Sequence, residues 1–195
     1  MLNLSAHASE KLLAQSSERI RLRESPANGI TLKSLMPSTI LTPFEYRPAV
    51  PGDVAACVDL RGRTRENAVS AARLSAIGIT VASWSEAVRR GSLPGYVCLA
   101  DGEIVGYCFG ATASGEVEVL ALLPAFEDQG IGKTLLNHVI ETLGNIGFTR
   151  LFLGCSSDPA SRSYGFYRHL GWRSTGSVDA RGDEVLEYFI KLAET

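Results

Sequence analysis

The sequence predicts an α/β (α+β) fold built on a mixed, mostly antiparallel central sheet with helices on both faces. Two apolar runs, Tyr96–Ala100 and Ile104–Ala111, flank Asp101-Gly102, a strong signal for a tight hairpin. A third run, Glu116–Leu123, leads through a glycine-bearing loop into a helix-spaced segment, and the apolar strand Arg150–Cys155 follows. Antiparallel hairpins followed by a β-α-β crossover give a mixed sheet whose faces are covered by helices.

Taken in order, residues 1–43 differ from the rest. Ser, Ala, Glu, Arg and Lys dominate there, and Pro26, Gly29, Pro37 and Pro43 punctuate the segment. Two readings stay open for this N-terminal extension: a weakly ordered tail carrying one short helix, or an arm packed on the partner subunit of a homodimer. Residues 44–195 form the expected domain. Glu45–Pro48 reads as a short strand, and Pro51-Gly-Asp53 opens a helix carrying Val54, Cys57, Val58 and Arg61. Glu66–Ile77 reads as a second helix with Val69, Ala72, Leu74 and Ile77 as core candidates, and Ser83–Arg90 as a third, closed by Gly91.

After the hairpins, Leu135, Leu136, Val139, Ile140 and Leu143 recur at helical spacing. Asp158-Pro159 has the composition of a helix start, acidic cap then proline, for a helix running to about Leu170. Trp172–Val178 and Glu184–Leu192 make a closing hairpin over Asp179–Asp183.

Composition narrows the function. At 195 residues the chain suits one well-covered domain. A formal net charge of −2 gives no electrostatic reason to expect nucleic acid or anionic membrane as a partner. No apolar run approaches the ~20 residues that span a bilayer, and the N-terminus lacks a secretory layout. The four cysteines form no C-x-x-C pair, and no histidine stands at metal-ligand spacing from one. No metal is expected, and a cytoplasmic location with reduced thiols is.

The most informative stretch is Leu120–Leu136, where a strand stops at Pro124 and a loop reaches Gly130-Ile131-Gly132 at a helix start. Glycines at such a turn let a ligand approach the backbone, and the first helical amides, lacking intrahelical acceptors, point at it. A phosphate-binding device is the reading. A nucleoside-triphosphate P-loop accounts for Gly132-Lys133-Thr134 but requires glycine where Glu127 stands. The dinucleotide fingerprint requires glycine at Leu135.

The run Leu120-x-Leu122-x-Pro124 followed by Gly130-x-Gly132 resembles the acyl-CoA loop of the GNAT N-acetyltransferases, [RQ]-x-x-G-x-[GA], with Glu127 at its Arg/Gln position. A second stretch, Tyr164–Trp172, resembles the A-x-x-[FLY]-Y-x-x-x-G-[FWY] segment of the same family through Phe166, Tyr167, Gly171 and Trp172. Ala160 and Ser163 replace the family's Asn-x-x-Ala, which leaves Asp158 or Ser161 to assist the cofactor instead.

The resemblance implies acetyl-CoA as cosubstrate and a small-molecule or peptide amine as acceptor. Backbone at Gln129, Gly130, Ile131, Gly132, Lys133 and Thr134 would wrap the CoA pyrophosphate, with Lys133 adding charge, and Leu122-Leu123 would pair with the pantetheine. Tyr167 aligns with the family's tyrosine that protonates the departing thiolate. An alkylamine has a pKa near 10, so it must lose a proton before attack. Glu116 and Glu118, spaced by two on the strand, are the candidate acceptors on the face of Leu120 and Leu122. Counting back from Gly130, Glu116 falls where some family members carry a base; Glu118 lies nearer the centre. Arg61, Arg63 and Arg65 alternate ahead of Glu66 and read either as a solvated run or as anion-reading side chains. The rival class is a CoA-binding or regulatory module of the same fold without catalysis.

Overall fold

The computed structural model describes residues 44–190, so the N-terminal extension and its two readings lie outside the described residues. The described chain runs β1 (Glu45–Pro48), a 3-10 turn at Pro51–Asp53, α1 (Val54–Arg61), α2 (Ala71–Ala76), α3 (Val81–Arg89), β2 (Gly95–Ala100) and β3 (Glu103–Gly110). It continues through β4 (Val117–Leu122), α4 (Ile131–Asn145), β5 (Arg150–Cys155), α5 (Arg162–His169), β6 (Arg173–Val178) and β7 (Glu184–Phe189).

The β2–β3 hairpin turns where predicted. Asp101 and Gly102 both take left-handed backbone, φ 51° and 83°, the geometry that matches the natural twist of paired strands. Strands β1-β2-β3-β4 form one antiparallel sheet, and β5-β7-β6 form another. Among the described residues they meet at one isolated parallel bridge, Glu116 to Phe152. The Phe152 N–H donates to the Gly115 carbonyl at 3.2 Å beside it. The expected single sheet is thus split along the β4/β5 seam.

Helices cover both faces. On one, Leu135, Leu136, Val139 and Leu143 of α4 pack with Cys98, Val105 and Cys108, and this core continues into Leu151, Leu153, Trp172 and Leu186. On the other, Cys57 and Leu60 of α1 pack with Val97, Tyr107, Phe109 and Ala121, flanked by Trp84 and Val88 of α3. Helix α4 lies close on β3 because Gly110 has no side chain: a Cβ there would stand 2.8 Å from Val139 and 2.9 Å from Leu143. All four cysteines are free and buried.

Two helices are shorter than the sequence predicts. Residue Asn67, at φ 55°, breaks the Glu66–Ile77 run. Helix α2 starts only after Ser70, whose hydroxyl accepts the Arg73 N–H at 3.3 Å. Leu74 is buried, but Ile77 is 63% exposed and no part of the core. Similarly, Asp158 does not cap α5. Its Oδ1 accepts the Ala160 N–H at 2.9 Å in a local turn, and the helix begins at Arg162. Side-chain bonding to nearby backbone competes with the helix at Asp158, whereas at Ser70 it caps the helix one turn late.

One buried ion pair fixes the start of α1. Arg47 on β1 forks onto Asp53 at 2.7 and 2.9 Å, and Val50 N–H donates to the same carboxylate at 2.8 Å. That pairing holds the Asp53 carboxyl below its ordinary range, mainly through the Arg47 hydrogen bond.

Candidate active site

A cleft of about 390 Å³ opens along the seam, with Val117–Leu122 of β4 on one wall and Gly154–Ser156 on the other. Its size is that of a small-molecule site. The start of α4 closes one end. Gly130 is the cap of that helix in left-handed conformation, φ 79° and ψ −5°, with no side-chain cap bond and no acid in the first turn. Only glycine adopts this conformation without cost. The amides that follow are therefore presented to the cleft together with the positive end of a 15-residue helix. Gly132 lies against the Phe166 ring, where a Cβ would sit at 3.4 Å.

On the β4 wall the spacing argument for the two glutamates needs correction. Gly110 pairs with Val117 while Phe109 pairs with Val119, so β4 carries an extra residue there, a β-bulge. The bulge breaks the alternation. Val117 turns into the core shared by Leu120 and Leu122, so the period-2 register that set Glu116 on that face is lost, although the Glu116 charge still acts on Glu118. Glu118 lines the cleft; Glu116 does not, and stands at the seam bridge 3.5 Å from Arg181. The Glu118 side chain is solvent-accessible, yet it sits inside a concave wall. Burial there raises its pKa, the Glu116 charge adds to the rise, and Arg181 opposes it.

Tyr167 lies on the opposite side. Tyr167 is the buried residue of α5, 9% exposed. Its ring packs edge-on against Phe166 and Trp172, 5.1 and 6.0 Å between centroids. It lines the cleft as well. Burial pushes its phenol far above the ordinary range, the Cys108 and Cys155 thiols add to the effect, and Arg61 counteracts it. The hydroxyl therefore remains protonated throughout the neutral range.

The unusual Glu127 is not a bare carboxylate facing a phosphate loop. Its Oε2 accepts from Arg65 Nε at 2.9 Å and lies 3.6 Å from Arg162 Nε. Arg162 also donates to Asp128 at 2.7 Å. The three alternating arginines thus separate. Arg63 pairs with Asp59 on the solvated surface at 3.0 Å, Arg65 goes to Glu127, and Arg61 lines the cleft. The Arg61 guanidinium donates to the Asn67 carbonyl at 2.5 Å and to Thr64 at 3.3 Å.

Of the residues predicted from sequence, the cleft wall brings together Glu118, Leu122, Gly130, Ile131, Gly132, Lys133 and Tyr167. Glu116, Leu123, Gln129 and Thr134 are adjacent but not on that wall. Gln129 donates its side-chain amide to the Ala125 carbonyl, and Thr134 its hydroxyl to Gly130. Sequence reasoning missed Glu66, Arg162, Arg181 and Asp183, which also line the cleft. Each comes from a segment distant in sequence from the loop. Among the described residues no cluster of acids, cysteines and histidines could hold a metal ion, and no helix is long and apolar enough to cross a membrane.

A split sheet with a helix N-terminus at its seam offers a site for an anionic ligand, and comparison with known proteins identifies the family. The acetyltransferase (GNAT) family model matches residues 59–172, and the chain belongs to that family. It is accordingly an acyl-CoA-dependent N-acetyltransferase. Among solved structures, the PaiA N-acetyltransferase of Thermoplasma acidophilum in complex with coenzyme A is similar at 17% identity and TM-score 0.65, covering 76% of this chain and 99% of that one. The ribosomal-protein-S18-alanine N-acetyltransferase of Escherichia coli matches at 17% identity and TM-score 0.57, over 77% and 96%. The yncA protein of Salmonella typhimurium with its cofactor acetyl-CoA matches at 18% and 0.59, over 78% and 97%. These likenesses concern the fold. No curated protein matches the sequence.

Proposed function

We propose that this cleft binds acetyl-CoA along the β4/β5 seam and transfers its acetyl group directly to a primary amine, with Glu118 taking the proton and Tyr167 supplying one. The observation that carries this reading is the meeting, in one cleft, of an uncapped helix N-terminus with a carboxylate and a phenol of raised pKa. Backbone amides from Gly130 to Lys133 suit a diphosphate, since they have no intrahelical acceptors and no acid stands in their turn. The β4 edge from Val117 to Leu122 is free of β5 beyond the bridge, so its backbone groups can pair with pantetheine amides.

When bound, the cosubstrate supplies an activated thioester carbonyl. The protein supplies the proton management. An amine arriving as ammonium loses its proton to Glu118, directly or through water, and the raised pKa brings this carboxylate nearer the working pH of a general base. Tyr167, kept protonated by burial, donates to the departing sulfur. The cleft wall around Arg61, Arg181 and Asp183 carries both charges, which fits a polar amine, small or peptidic, as acceptor. Four buried free thiols fit a reducing, cytoplasmic setting.

A thiol-release assay over a panel of primary amines tests the reaction, and calorimetry with acetyl-CoA against ATP tests the ligand. CoA binding with amine-dependent thiol release is expected. Micromolar ATP binding without CoA binding would overturn the reading.

A further inference from the structure

We propose that Arg65 and Arg162 bind the diphosphate of the cosubstrate, supplying from outside the loop the positive charge that Glu127 removes from it. The proposal rests on the CoA reading above. Both arginines line the same cleft as Gly130–Lys133. They reach it from two separate segments, Arg65 from the α1–α2 connector and Arg162 from the first position of α5. They converge on one carboxylate, Glu127, at 2.9 and 3.6 Å.

Neither guanidinium is saturated. Arg65 engages Glu127 through Nε alone, while Arg162 donates Nη2 to Asp128 and only brings Nε to 3.6 Å from Glu127. A guanidinium carries five N–H donors in a rigid fork, so each retains donors for a phosphate while its carboxylate holds it in place. Both arginine side chains are about half exposed, 55% and 47%, although Glu127 is 14% exposed, so each guanidinium turns part of its fork to solvent where a ligand can meet it.

Charge balance gives the second argument. The cleft lining carries five acidic and five basic side chains, Arg65 and Arg162 among the latter. With either arginine removed the acids outnumber the cations, and a diphosphate would meet a repelling wall. Arg63, from the same run, pairs with Asp59 away from the cleft and serves as an internal contrast.

The test uses calorimetry on the full chain with two probes, CoA and pantetheine, which lacks the diphosphate. In Arg65→Gln and in Arg162→Gln the ratio of CoA to pantetheine affinity falls on the order of tenfold, the scale of one charged hydrogen bond. Arg63→Gln leaves the ratio where it was. Retained pantetheine binding shows that each variant is folded. An unchanged ratio in both cleft variants overturns the arginine assignment while the CoA reading stands. Failure of the unmodified protein to bind CoA overturns the CoA reading itself.

Discussion

Glu66 caps a helix that begins 96 positions further along the chain. Its Oε2 accepts the backbone N–H of Arg162 at 3.1 Å and the hydroxyl of Ser161 at 3.2 Å, while Ser161 itself makes no cap bond to α5. A carboxylate at a helix N-terminus satisfies an orphan donor and complements the dipole. Replacing Glu66 by Ala is expected to lower stability by about 1 kcal/mol, the usual worth of a cap. Glu66→Gln keeps an acceptor oxygen and should recover most of it. Urea midpoints of the three proteins check this, and equal losses in both variants would contradict the capping role.

Gly130 and Gly132 predict different outcomes for the same substitution. Gly130→Ala forces a side chain into φ 79°, costing ~1–2 kcal/mol, although nothing within 4 Å obstructs the new Cβ. Gly132→Ala meets only ordinary contact with Phe166 at 3.4 Å and should be nearly neutral in stability. Thermal melts separate the two. CoA affinity should fall further in the Gly130 variant, since that glycine sets the direction of the helix-end amides.

Activity should respond to pH through Glu118. Its raised pKa means that the ionised, proton-accepting form is lost at a higher pH than for an ordinary glutamate. The acid limb of kcat/KM is therefore expected above about 4.3, the unperturbed value, and Glu118→Gln should remove that limb along with most of the rate. Tyr167→Phe should lower kcat about 10–10³-fold with little change in CoA affinity. Unchanged turnover would take Tyr167 out of the mechanism.

Asp53 is one of the carboxylates whose protonation weakens the fold in acid. Its folded-state pKa is lowered by Arg47, so its contribution is complete above the unfolded value of about 3.9 and drains away as pH falls through the folded value. Asp53→Asn should cost about 2 kcal/mol at neutral pH, a buried pair discounted for the partly exposed arginine. It should also flatten the loss of stability below pH ~4. Denaturant titrations from pH 3 to 7 give both numbers.

What could be read in the sequence was whatever the chain decides locally. Asp101-Gly102 dictated its hairpin, the spacing of Leu135 to Leu143 dictated α4, and Gly130 marked the turn where only glycine fits. What could not be read depends on partners far along the chain. The bulge that breaks the alternation after Glu116 is set by pairing with β3, and nothing in Val117-Glu118-Val119 announces it. Glu127 looked like a defect because its partner Arg65 lies 62 positions away. The start of α5 shifted for a related reason. Asp158 spends its carboxylate on a local turn, and the cap arrives from Glu66 instead.

The seam between the two sheets has a dynamic consequence. Backbone amides of Val117–Leu122 lie against a strand of their own sheet on one side and against no β5 partner beyond Glu116–Phe152 on the other. Among the described residues the two sheets are joined across strands at that one bridge and otherwise by side chains: the core around α4, the Arg181–Glu116 and Arg162–Asp128 pairs, and Glu66 at the start of α5. Amides along the inner edges of β4 and β5 should trade their hydrogens with solvent by local opening, well ahead of the β2–β3 hairpin. A ligand threaded along the seam would knit those edges together, and deuterium uptake there would slow before any other region changed.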